Sequence, residues 1–236
     1  MQDDVATVIE DLVLQVRERW DQLGFVEEET GAFATGRVPH IAPHAYLCRF
    51  YAGLSEAELE DAEAESERYL PQPYRDFLRS FNGANIMGIS LHGATGGQNL
   101  RNASSIGQPI SIRYQNVFYT RKDFIPEGHF GLGAMNGPCY SQGHLYLTSI
   151  GEVELINRDH DLVATRWPSF TDFLRQEITR QLSRFDDEGR ETGDVDRLPG
   201  VTDEWEALGK SLSDQRKKDD SLPNRLLRKL SFSKKG

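Results

Sequence analysis

The feature that most constrains this chain is the order of its apolar periodicities. Helical spacing comes first, period-two alternation follows, and one more helical stretch closes the patterned part. Val5, Val8, Ile9, Leu12, Val16, Trp20 and Leu23 recur at helical intervals, which predicts an amphipathic helix over residues 3–23, stopped by Gly24. Residues 25–54 are broken by Gly31, Gly36, Pro39 and Pro43 and declare no single element type. Ser55 with Glu58 forms a capping box, and the helix it opens over residues 56–69 turns Leu59, Ala62 and Ser66 to one face. Tyr74, Phe77, Leu78 and Phe81 share one face of a shorter helix that starts at Pro71 or Pro73 and ends on Asn82-Gly83.

Residues 86–91 read as an edge strand followed by a mobile loop rich in Gly, Asn and Ser. Ile110, Ile112, Tyr114, Val117 and Tyr119 predict a strand, and residues 144–150 and 152–157 a hairpin turning on Gly151. Phe170, Phe173, Leu174, Ile178, Leu182 and Phe185 mark the last helix. Helices, then hairpins, then a helix, without βαβ alternation, specify an α+β fold with a mostly antiparallel sheet flanked by helices. The expected organisation is a helical extension packed on the core over 1–54, a central domain over 55–185, and a linker with a basic, disordered tail over 186–236. Within that tail Leu222, Leu226, Leu227 and Leu230 lie at helical spacing among Arg225, Arg228 and Lys229.

Charge narrows the partners. The 236 residues carry a formal net charge of −10, and residues 1–70 hold 16 Asp/Glu against 5 Arg/Lys. Such a surface repels nucleic-acid phosphate and attracts basic protein. Glu56, Glu60, Glu63 and Glu67 are the candidate partner-binding residues, set on the acidic helix. The basic end could touch an anionic membrane weakly, dock onto the acidic N-terminal third, or keep the chain soluble. No run approaches the ~20 apolar residues of a membrane span. The acidic start Met-Gln-Asp-Asp lacks the basic opening of a secretory signal, and two cysteines make no disulfide framework. The expected setting is the reducing cytoplasm.

No catalytic, cofactor-binding or metal residues are assigned. His40 and His44 have the spacing of a helical metal pair, but Pro43 between them makes a loop. Cys139 near His144 would need a base and a lowered pKa to act as a nucleophile, and a buried, inert thiol is the expectation. Asp159-His160-Asp161 reads as a charged turn, and Gly93, Gly96 and Gly97 match no phosphate-binding loop.

Leu70-Pro71, Tyr74, Phe77-Leu78, Phe81 and Asn82-Gly83, in that order after an acidic helix, resemble the opening signature of the SUKH superfamily of Smi/Knr-like domains. Residues 130–135 resemble its glycine-bearing strand, 145–153 its hairpin, and Ser169-Phe170 with Phe173-Leu174 its closing helix. The resemblance covers about residues 55–180, leaving 1–50 and 186–236 without counterpart. It implies an α+β domain that binds rather than catalyses. Many bacterial members resemble immunity proteins that neutralise a cognate toxin, often a basic nuclease, and fungal members resemble scaffolds of cell-wall synthesis. Leu70, Pro71, Tyr74, Phe77, Leu78, Phe81, Asn82, Gly83, Gly151, Phe170 and Phe173 are then structural anchors and turn formers. The leading expectation is an immunity-like binder that occludes a toxin's active cleft. A regulatory scaffold comes second, and a hydrolase using Cys139 or a histidine site third.

Overall fold

The computed structural model describes residues 4–96, 106–118, 128–136, 142–157, 162–192 and 199–219. The first helix, α1 (Val5–Trp20), buries Val5, Val8, Ile9, Leu12, Val16 and Trp20, the stripe its periodicity predicts. Asp4 caps its N-terminus, while Arg17 and Arg19 sit in its last turn, where cations offset the helix dipole. Three strands follow, β1 (Phe25–Glu27), β2 (Phe33–Arg37) and β3 (Tyr46–Ala52). Residues 25–54, unassigned from sequence, therefore build sheet. Its first 54 residues add strands as well as a helix.

The acidic helix α2 (Glu56–Ser66) and the aromatic helix α3 (Gln72–Ser80) come next. The chain then runs through β4 (Phe81–Ile86), β5 (Ile89–Leu91), a π-helical turn (Tyr114–Phe118), β6 (Phe130–Asn136), β7 (Gln142–Leu147), β8 (Val153–Asn157) and β9 (Val163–Trp167). Helix α4 (Phe170–Leu182) packs back, and α5 (Asp203–Asp219) follows.

All nine strands among the described residues lie in one sheet in sequence order, and every neighbouring pair is antiparallel. The fold is α+β, a meander backed by helices. Cys48, Phe50, Ala84, Ile86, Ile89, Leu91, Leu145, Leu147, Val153 and Leu155 alternate along their strands onto the helix-covered face. There they share one core with the buried stripes of α1, α3 and α4.

Three local expectations are corrected. Residues 86–91 are not an edge strand. They complete β4 and form β5 in the middle of the sheet, joined by a tight turn at Met87 and Gly88 with φ of 48° and 90°. Positive φ at both turn residues matches the twist of a hairpin. Asn82-Gly83 does not end α3. Phe81 already lies in extended conformation, and Gly83 sits inside β4 with φ 84°, where a Cβ would meet the Leu91 carbonyl oxygen at 2.7 Å. Asn82 instead ties β4 to the following loop, its side chain bonding the amide and the carbonyl of Ala94 at 2.7 and 2.9 Å.

The stretch 110–118 is not a strand either, and Tyr119 lies outside the described residues. Ser111 makes one bridge to Gly93, after which the chain coils into the π-helical turn. The cause is Asn116. Its buried side chain donates to Ile112 O and Gly131 O and accepts from Gly131 N, replacing the hydrogen bonds a strand would have made.

Beyond Phe185 the described chain touches the domain at several points. Phe185 meets Trp20 edge-on at 6.1 Å, and Gly189 packs on Val38. Trp205 of α5 donates its indole N–H to Val163 O of edge strand β9 at 3.1 Å. The expected helix around Leu222–Leu230 lies outside the described residues.

Candidate interaction surface

Helix α2 starts from the capping box foreseen in sequence. Ser55 N donates to Glu58 Oε2 at 2.8 Å, and Glu58 N donates to Ser55 Oγ at 3.4 Å. Its inner face buries Leu59, Ala62 and Ser66. Its outer face is acidic, but three of the four proposed partner-binding carboxylates already have internal cations. Arg75 pairs with Glu56 and, at 2.9 Å, with Glu63. Arg79 pairs with Glu56 at 3.1 Å, and Arg113 with Glu67 at 3.3 Å. Hydrogen bonds from Arg75 and Arg79 hold the Glu56 carboxyl below the usual carboxylate range. Glu60 is exposed and makes no ion pair among the described residues.

Glu65, on the same helix, accepts from Thr95 N and Oγ1 at 2.9 Å and from Gly96 N at 3.0 Å, and it also accepts from Ser111 Oγ. Arg68 reaches Asn116 O at 3.3 Å and His129 O at 3.2 Å. The carboxylates and Arg68 thus clamp α2 to α3 on one side and to residues 95–96 and 111–116 on the other. The result is a stiff surface.

Beneath it lie the signature aromatics. Leu70, Tyr74, Phe77, Leu78, Phe170 and Phe173 are buried, and Phe81 is half-buried. Tyr74 stacks on Phe77 at 5.5 Å and meets Phe130 at 5.8 Å and Phe170 at 5.7 Å. Its hydroxyl donates to His92 O and Leu132 O, linking α3 to two strands, and burial pushes its pKa up. Pro71 directly precedes α3. Gly151 turns the β7–β8 hairpin at φ 91° in open space.

On the outside of the π-helical turn stands an apolar ridge that the strand expectation concealed. Ile110, Tyr114 and Phe118 are 46%, 45% and 49% exposed, and Tyr69 beside Arg68 is 75% exposed. Tyr114 and Phe118 meet edge-on at 6.5 Å, and the Arg113 guanidinium lies 5.7 Å over the Phe118 ring. The spacing of Ile110, Tyr114 and Phe118, four residues apart, is the helical signal in the sequence that alternation masked.

The helix-free side of the sheet carries a buried polar cluster at its centre. Ser90 and His92 on β5 and just beyond it are buried, as are His144 and Tyr146 on β7 and Gln115 above Gly131. Ser90 Oγ, His92 Nδ1 and Gln115 Oε1 lack hydrogen-bond partners among the described residues. Burial, with a smaller contribution from His144, pushes the His92 imidazole down to about 3, so it stays neutral. Between pH 6.5 and 3 the unfolded chain then binds a proton that the folded chain refuses, so stability falls as the pH drops below 6.5. At pH 5 this removes about 2 kcal/mol. Urea midpoints measured at pH 7 and pH 5 should differ less in His92→Gln than in the parent chain. Equal differences would show that His92 is protonated in the fold.

Among the described residues, reactive side chains do not converge. The Cys48 thiol is fully buried and its pKa is pushed up by desolvation, which leaves it inert. His40 and His44 are exposed in the β2–β3 connection, and among the described residues no group of three His, Cys, Asp or Glu could hold a metal ion. Cys139 and Asp159-His160-Asp161 lie outside the described residues. No described helix is long and apolar enough to cross a membrane.

The family model described as SMI1 / KNR4 family (SUKH-1) matches residues 53–176, more than half of the chain, and the chain belongs to that family. No curated protein matches the chain. Family members are generally binding domains rather than enzymes, and their partners are proteins.

Proposed function

We propose that this chain is a non-enzymatic, cytoplasmic protein-binding domain of immunity type that neutralises a cognate toxin by covering its active cleft. The observation that carries the reading is membership of the SUKH-1 family over residues 53–176. Two features of the surface agree with it. The ion pairs of Arg75, Arg79 and Arg113 hold the acidic helix rigid, so little conformational entropy is lost on docking. The net charge of −10 favours a basic partner and speeds encounter with it.

The test is rescue. Cells that express a toxin domain encoded beside this gene should survive when the full chain is co-expressed, and the purified pair should form a stoichiometric complex. Cell death despite complex formation would remove neutralisation and leave a scaffold role for the same binding. Association should slow as salt is raised, because steering by exposed charge is screened.

A further inference from the structure

The acidic helix and the apolar ridge are one surface. Glu65 bonds Ser111 at the foot of the ridge, Arg68 bonds Asn116 within it, and Glu67 pairs with Arg113 on its flank. We infer that the ridge of Ile110, Tyr114 and Phe118 is the centre of the partner-binding surface, with Glu60, Asp61 and Glu67 as its rim. The inference rests on the protein-binding reading above and names the partner's chemistry: a basic protein with an apolar pocket framed by Lys and Arg.

Three observations carry it. First, the composition is that of an interface centre. Two aromatics and an aliphatic side chain are each close to half exposed, with an arginine stacked over one ring. Aromatic and Arg side chains dominate binding energy at the centres of interfaces. Second, the ridge is held in place before any partner arrives. The buried Asn116 fixes the turn through three hydrogen bonds to the backbone of residues 112 and 131. Third, the α2 side of the rim is acidic, and its Glu67 is already paired with Arg113. Residues 56–66 contain no Lys or Arg, and Glu60 and Asp61 are exposed, within two turns of the residues that touch the ridge. Charge at a rim sets encounter rate and partner choice, while the apolar centre sets lifetime.

The chain offers one rival occupant, its own basic segment with Leu222, Leu226, Leu227 and Leu230. The experiment separates the two. A photo-crosslinking phenylalanine analogue replaces Tyr114 in the full chain, expressed in the organism that encodes it, and replaces Ile150 in a second version. Ile150 is 78% exposed at the tip of the β7–β8 turn and serves as the distant control. The expected result is a cross-link from position 114, and not from 150, to a single basic protein. With that protein purified, Phe118→Asp should weaken the complex about tenfold or more without moving the melting temperature. Ile110→Asp repeats the measurement should Phe118→Asp disturb folding. Glu60→Lys with Asp61→Lys should flatten the salt dependence of association.

A cross-link from 114 into residues 221–236 of the same chain would overturn the inference and assign the ridge to intramolecular docking. A partner that cross-links only elsewhere, or one that is acidic, would overturn the ridge or its chemistry and leave protein binding standing. No cross-linked protein from either position, together with failed rescue, would overturn both readings.

Discussion

Truncating Phe77 to alanine should lower the unfolding free energy by about 3–5 kcal/mol. Phe77 is 2% exposed and stands where three elements meet. Its ring stacks on Tyr74 of the same helix at 5.5 Å and meets Phe170 of α4 edge-on at 5.8 Å. Edge-to-face and offset contacts of this kind add to area burial. The cavity would open between two helices that each pack rigidly on the sheet, so it has little room to collapse. For a domain of this size the loss corresponds to a fall in melting temperature of roughly 10 °C. Phe81→Ala, four residues further on at the start of β4 and only half-buried, should cost less. A melting temperature for Phe77→Ala within about 2 °C of the parent would mean that the signature aromatics do not form the core.

That core was readable because amphipathic helices carry their burial pattern in their own sequence. The buried residues of α1 are the apolar positions picked out by spacing, with Leu23 relegated to a 3-10 turn beyond the helix. The Ser55–Glu58 capping box and the Phe170–Ile178 stripe were legible for the same reason: each involves residues within one or two turns. The strands were harder. Four of the five residues of β2 are buried, so both faces are covered and no alternation survives to be counted. Asn82-Gly83 resembles a helix cap in composition, yet its place in β4 is set by Leu91, eight residues from Gly83, and by Ala94, twelve residues from Asn82. Over residues 110–118, alternation lost to the hydrogen bonds of a single buried asparagine.

The candidate surface divides along the same line. The charge of α2 could be read directly, but its neutralisation could not. Arg75 and Arg79 come from the next helix, and Arg113 lies 46 residues from Glu67. Sequence spacing treated Glu56, Glu60, Glu63 and Glu67 as equivalent. Tertiary structure divides them into three that fasten the helix and one, Glu60, that faces solvent. Charge reversal at Glu56 should therefore perturb the α2–α3 junction first, whereas reversal at Glu60 tests association alone.

Replacing Gly133 by alanine should cost about 3 kcal/mol, because the sheet's centre depends on a missing side chain. Gly133 has φ 155° and lies at a register shift of β6, opposite Leu91 of β5. A Cβ there would lie far inside van der Waals contact distance of the Ser90 carbonyl oxygen, and Leu91 Cα lies at 3.1 Å. Both neighbours are backbone, so no rotamer change relieves the clash and β5 must separate from β6. Separation would also strain His92, whose amide donates to Leu132 O at 2.9 Å, and Tyr74, whose hydroxyl bonds to the same two residues. The damage should reach the α3 anchor. Gly151→Ala is the matched control: its φ of 91° is strained for alanine, but no atom lies nearby. It should cost about 1 kcal/mol, and amide exchange should remain slow in β5 and β6. In Gly133→Ala the amides of Leu91, His92 and Leu132 should exchange faster than those of β1 and β2. Equal stability of the two variants would mean that β5 and β6 do not meet at that distance.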